Sequence, residues 1–116
     1  MRFETVADGI TVPKEIQMYA ESRVGLAVHR AADRLSFVGV RLEREDPHAT
    51  DSRVQCQIEA WMPALGIVTA SHADADSYVA IDRAAALLEQ AVLRKLSEAE
   101  TTDADEQELF VPLTSD

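Results

Sequence analysis

At 116 residues and 12.8 kDa the chain has room for one domain with a single core and not for two well-buried ones. Its one cysteine, Cys56, excludes an internal disulfide and a cysteine-rich metal site. No apolar run approaches the roughly 20 residues of a membrane span, and Met1-Arg2-Phe3-Glu4 does not read as a signal peptide, so a reducing, cytoplasmic setting with no membrane contact is expected.

The net charge of -10 is unevenly spread. Residues 1–97 hold all eleven Lys and Arg against fourteen Asp and Glu, a balance of -3, while residues 98–116 hold seven acids and no base. The expected division is therefore a nearly neutral domain over 1–97 and an acidic, disordered tail over 98–116. A neutral domain can still gather its cations on one face, so the overall acidity does not exclude a nucleic-acid partner.

In chain order, Phe3-Glu4-Thr5-Val6 reads as a first strand, closed by the turn-favouring pair Asp8-Gly9. Pro13 presets a helical turn. The helix it opens carries Ile16, Ala20, Val24, Ala27 and Ala31 on one side, with Tyr19, Arg23 and Arg30 along one flank. From Leu35 to Glu45 a strand alternates, Val38, Val40 and Leu42 one way and Phe37, Gly39, Arg41 and Glu43 the other. A polar loop over residues 45–52 leads to a third strand, Arg53 to Trp61, with Val54, Cys56, Ile58 and Ala60 inward and Trp61 outward. After Met62-Pro63-Ala64-Leu65-Gly66, the β-branched run Ile67-Val68-Thr69-Ala70-Ser71 is a fourth strand.

Asp74-Ala75-Asp76-Ser77 supplies side-chain oxygens for the free N–H groups of a last helix. Along that helix Tyr78, Ile81, Ala85, Leu88, Val92 and Leu96 form a continuous apolar stripe, and Asp82, Arg83, Glu89, Gln90 and Arg94 fall elsewhere. The fold class that follows is α+β, a β-α-β-β-β-α sandwich with two helices on one face of a four-stranded sheet. Past Glu98 the apolar period stops, and the chain closes on Leu109, Phe110, Val111, Pro112 and Leu113, an apolar cluster composed like a short docking segment for a protein partner.

No catalytic constellation emerges. His29, His48 and His72 lack metal-ligand spacing, Asp74 and Asp76 are explained by helix capping, and Cys56 has the inward parity of an inert thiol. An enzyme, a cofactor and a metal site are therefore not expected. Phe37 and Trp61 have outward parity, where they either stack on bases or pack on a partner.

The run from Gly66 onward, with Ala in the strand, then Asp76, Tyr78, Ala80, Ile81, Asp82 and a closing Arg94-Lys95, resembles the ribosome hibernation-promoting factor family, also called ribosome-associated inhibitor A or sigma-54 modulation proteins. The similarity continues more weakly through Tyr19, Glu21 and Arg23 and covers roughly residues 1 to 97. It implies a non-enzymatic translation regulator that silences idle ribosomes by settling in the decoding channel of the small ribosomal subunit. There, Lys and Arg would neutralise rRNA phosphates without reading sequence.

The cations placed to do this are Arg23 and Arg30 on the first helix, Arg41, Arg44 and Arg53 around the sheet, and Arg83, Arg94 and Lys95 on the last helix, with Tyr19, Phe37 and Trp61 as stacking candidates. Nine of the eleven cations are Arg, which can fork onto phosphate oxygens. The exposed row of the last helix reads Arg83, Leu87, Gln90, Arg94, less basic than the family's. An alternative is a protein-interaction adaptor that keeps the fold without RNA binding, using Leu87, Trp61 or Leu109 to Leu113.

Overall fold

The computed structural model describes the backbone of residues 2–8, 12–46, 48 and 52–115, and the side chains of residues 2–6, 12–46, 48 and 52–99. Strand β1 spans Arg2–Asp8, helix α1 Lys14–Ala27, β2 Phe37–Arg44, β3 Val54–Met62, β4 Gly66–Asp74 and α2 Ser77–Ser115, with a 3-10 helix at His29–Arg34 before β2. The order is the expected β-α-β-β-β-α. The sheet runs β1-β2-β3-β4, with β1 parallel to β2 and the remaining pairs antiparallel. The parallel pair needs a long crossover to bring the chain back to the start of β2, and α1 with the 3-10 helix supplies it.

One face of the sheet carries the core. Val38, Val40 and Leu42 on β2 pair with Ala60, Ile58 and Cys56 on β3, and all six are buried. On β4, Val68 and the half-buried Ala70 and His72 continue the same face, as the alternation predicts. Helix α2 presses Ala80, Ile81, Ala84, Ala85, Leu88 and Val92 onto this surface, and α1 adds Ala20, Val24 and Ala27. The buried band is wider than the predicted stripe, since Ala80 and Ala84 beside it are also fully buried. Burying a side chain such as Ile81 or Leu88 is worth roughly 1.5–3 kcal/mol. Burial also pushes the Cys56 thiol up to about 12, which keeps it protonated and unreactive.

Three expectations are corrected here. Helix α1 does not run on to Ala31: beyond Ala27 the Ala31 N–H bonds the Val28 carbonyl at 2.9 Å, an i to i+3 tightening into the 3-10 helix. Ala31 stays buried, but Arg30 leaves the flank that holds Tyr19 and Arg23. Tyr78 is not part of the buried stripe. At 41% exposure it follows the i, i+4 row of Asp82 towards α1. Strand β4 runs past Ser71 to Asp74, because it stays paired with β3 up to Val54.

The turns bear out their local chemistry. Asp76 Oδ1 accepts the Tyr78 N–H at 2.8 Å and Asp74 Oδ1 the Asp76 N–H at 2.9 Å, so Asp76 caps α2 and Asp74 braces the cap. Between β3 and β4, Leu65 N–H bonds Met62 O at 2.9 Å across Pro63 and Ala64. Ala64 has φ 70° and Gly66 φ 102°. Glycine is at ease there, whereas the Cβ of Ala64 makes its left-handed conformation costly.

Past Glu98, where the apolar period ends, the backbone of α2 remains helical to Ser115. The division at residue 97 thus rests on composition and charge. Asp8 ends β1, while Gly9 of the expected turn pair and the side chains of Leu109, Phe110, Val111 and Leu113 lie outside the described residues. No helix among the described residues is long and apolar enough to cross a membrane.

Candidate nucleic-acid interface

The two helices form one outer surface and the open side of the sheet the other, and the singled-out residues divide between them. On the helix side, Tyr19 and Arg23 are one turn apart on α1, and Tyr78 and Asp82 one turn apart on α2. The packing of α1 against α2 brings the two pairs together. Tyr19 Oη donates to Asp82 Oδ1, Arg23 Nε lies 3.5 Å from the same oxygen, and the Tyr19 and Tyr78 rings meet edge to face at 5.0 Å. The hydrogen bond to Asp82 holds the Tyr19 phenol above its ordinary pKa, with desolvation adding to the effect.

Beside this cluster runs the exposed row of α2, Arg83, Leu87, Gln90 and Arg94, with half-buried Lys95 on its flank. Arg83 and Arg94 are eleven residues apart, about 17 Å along a helix, the span of a few backbone phosphates. Among the described residues neither makes an ion pair. Arg30 is exposed on the 3-10 helix, beyond the end of α1.

The sheet side carries the remaining candidates, and Arg53 and Arg44 have protein partners while Arg41 makes no ion pair among the described residues. Arg53 donates to the Ala73 carbonyl at 2.9 Å and faces Glu45 at 3.9 Å. Arg44, expected to point outward, lies instead on the core parity at the end of β2, half-buried, and reaches the Ser52 carbonyl at 3.4 Å. Arg41 is exposed, with Glu43 two residues along the same face. The eight candidate cations therefore do not share a face.

Phe37 and Trp61 are direct register partners, and Ile67 is the next partner of Trp61, which makes one cross-strand row. Trp61 is 45% and Ile67 47% exposed. Arg2 closes the row with its guanidinium 5.1 Å from the centre of the Phe37 ring, a cation–π contact, and Trp61 Nε1 donates to Glu59. A Cβ on Gly39 would come to 3.0 Å from the Phe37 ring, a tight contact that would push the ring aside by a few tenths of an ångström. A hollow of about 380 Å³ opens beside it between Glu4, Val6, Arg41, Gln57 and Glu59.

The predicted stacking trio is thus split, Tyr19 on the helix side and Phe37 with Trp61 on the sheet side. The meeting of Asp82 with Tyr19 and Arg23 was beyond the sequence reading. Its only signal was the pair of i, i+4 spacings, which becomes a contact once α1 and α2 are known to be neighbours. The described residues contain no group of three or more His, Cys, Asp or Glu placed to hold a metal ion.

No family model matches the chain, and a search of curated proteins finds no match. Solved structures do match. The Thermus thermophilus Protein Y N-terminal domain superposes with a TM-score of 0.65 at 26% identity, covering 81% of this chain and 98% of that one. A ribosomal subunit interface protein from Coxiella burnetii superposes with a TM-score of 0.62 at 15% identity, covering 87% of this chain and 99% of that one, a likeness of fold. Both are hibernation-promoting factor proteins, so the resemblance carried by Asp76, Tyr78, Ala80, Ile81 and Asp82 holds in the fold of the whole domain: this chain is similar to the ribosome hibernation-promoting factor family.

Proposed function

We propose that the chain associates with the ribosome as a non-enzymatic hibernation factor, placing its helix side against small-subunit rRNA in the decoding channel. The observation that carries this is the match to the Protein Y N-terminal domain, which spans nearly all of that domain. The helix side is favoured because Arg83 and Arg94 lie on one exposed row without ion pairs among the described residues, whereas Arg53 and Arg44 already serve the sheet. Lys95 flanks that row, Arg23 lies on the neighbouring α1 and Arg30 on the 3-10 helix that follows it, and Arg41 with Phe37 and Trp61 lies on the far side. The chemistry is phosphate neutralisation by guanidinium groups, with counterion release making affinity strongly salt-dependent. Such a protein works in the cytoplasm on idle ribosomes.

Co-sedimentation of the full chain with purified small subunits tests this. Binding at 50 mM salt that falls by roughly tenfold or more by 200 mM is expected for a few phosphate contacts. Absence of binding at 50 mM salt would refute it. A second reading, a protein-interaction adaptor, is favoured by the row of exposed Trp61 and Ile67 with half-buried Phe37 and by Leu87 in the middle of the α2 row. It predicts binding that salt leaves nearly unchanged, with the terminal cluster Leu109 to Leu113 as a further docking element.

A further inference from the structure

The seam between α1 and α2 converges on one atom. Asp82 Oδ1 accepts the Tyr19 hydroxyl and lies 3.5 Å from Arg23 Nε, while Tyr78 packs edge-on against Tyr19 from the same helix as Asp82. The Arg23 and Asp82 side chains are 27% and 45% exposed, so their attraction is screened by water and adds little to stability. Its effect is on geometry: the contact biases a long, rotamer-rich side chain towards one orientation. The contact is made through Nε, and among the described residues Nη1 and Nη2 have no hydrogen-bond partner. Those two nitrogens are one edge of the fork with which arginine grips a phosphate.

Resting on the ribosome-binding reading, we infer that Asp82 is a positioning residue of that surface, which holds Arg23 through Nε so that the outer edge of its guanidinium meets an RNA phosphate. A carboxylate that merely cancelled the charge of Arg23 would do the opposite. The two roles therefore predict opposite signs: removing the carboxylate charge weakens RNA binding if Asp82 positions Arg23, and strengthens it if Asp82 masks Arg23.

The test is small-subunit co-sedimentation across a salt series with the full-length protein and its Asp82→Asn, Asp82→Glu, Arg23→Gln and Arg23→Gln/Asp82→Asn variants. Asp82→Asn is expected to weaken binding about as much as Arg23→Gln, by roughly three- to tenfold at low salt, and to lower the salt slope by about one. The double variant should be no weaker than Arg23→Gln alone, and Asp82→Glu should recover part of the loss.

Alkaline titration of tyrosine absorbance checks the contact independently. In Asp82→Asn the Tyr19 phenol should titrate closer to its ordinary range, because its main cause of elevation is gone. Asp82→Asn binding as tightly as the parent or tighter, or weakening the Arg23→Gln background further, overturns the inference and leaves the ribosome reading standing. A parent protein that does not bind the subunit at low salt overturns both.

Discussion

The two broad surfaces of this molecule hold similar residues under different constraints. On the open sheet face, Arg53 is spent on the Ala73 carbonyl and Glu45, and Arg2 lies over Phe37. On the helix side, Arg83 and Arg94 stand on an exposed row with no ion pair among the described residues, and Arg23 is held by one edge. A strand sets its side chains beside cross-strand neighbours on a nearly flat surface, so an arginine there readily finds a carboxylate or carbonyl. A helix row separates its charges by whole turns and turns them outward. Counting arginines therefore says less about RNA affinity than asking which of them already have a partner.

The change that breaks both surfaces at once is in their shared core. Leu88 is wholly buried where α2 lies on the sheet, and Leu88→Ala should cost about 2–5 kcal/mol, read as a lower midpoint in urea unfolding. A loss under 1 kcal/mol would mean that α2 is not seated as described. The two faces separate most clearly in a pair of double variants. Arg83→Glu/Arg94→Glu should reduce small-subunit binding by about two orders of magnitude at low salt, whereas Arg41→Glu/Arg53→Glu should change it by less than about fivefold. Equal losses would erase the distinction between the faces.

Smaller effects test the local chemistry that presents each face. Asp76→Ala removes the α2 cap and should cost about 1 kcal/mol in thermal unfolding, with Asp76→Asn nearly neutral because asparagine also caps. Ala64→Gly should stabilise by a few tenths to about 1 kcal/mol, since φ 70° suits glycine and not a residue with a Cβ. If it destabilises, the turn below the Trp61 row is misdescribed.

The smallest effect at neutral pH concerns Cys56. Folding raises its pKa to about 12, so the neutral thiol is the form that folding favours. The stability this contributes is fully present below the ordinary thiol pKa of about 8.5 and is lost progressively as pH rises towards 12. A thiol reagent at pH 8 should accordingly label Cys56 only as fast as the protein opens. Rapid labelling of the native protein would contradict its burial.

Much of this fold was legible in local pattern. The alternation of Val38, Val40, Leu42 and of Val54, Cys56, Ile58, Ala60 named the buried face of each strand, and the aspartates at 74 and 76 named the start of α2. The candidate interface was less legible. The spacing of Tyr19, Arg23 and Arg30 assumed one uninterrupted helix, and the tightening after Ala27 moved Arg30 away from the other two. Tyr78 counted as core by hydrophobic period, yet it lies on the row that faces α1, where a phenol can keep its polar end wet. Arg44 counted as outward, and the end of its strand left it on the inner parity.

What the sequence determined by itself was the order of the elements, the inward side of each strand and the cap of α2, because these follow from periodicity and hydrogen bonding within a few residues. Only the tertiary structure decided that Phe37, Trp61 and Ile67 form one row, that Tyr19 and Arg23 meet Asp82, and which arginines already have partners. Those are contacts between residues distant in the chain. Strand order, register and helix neighbours set them, and no local spacing encodes them.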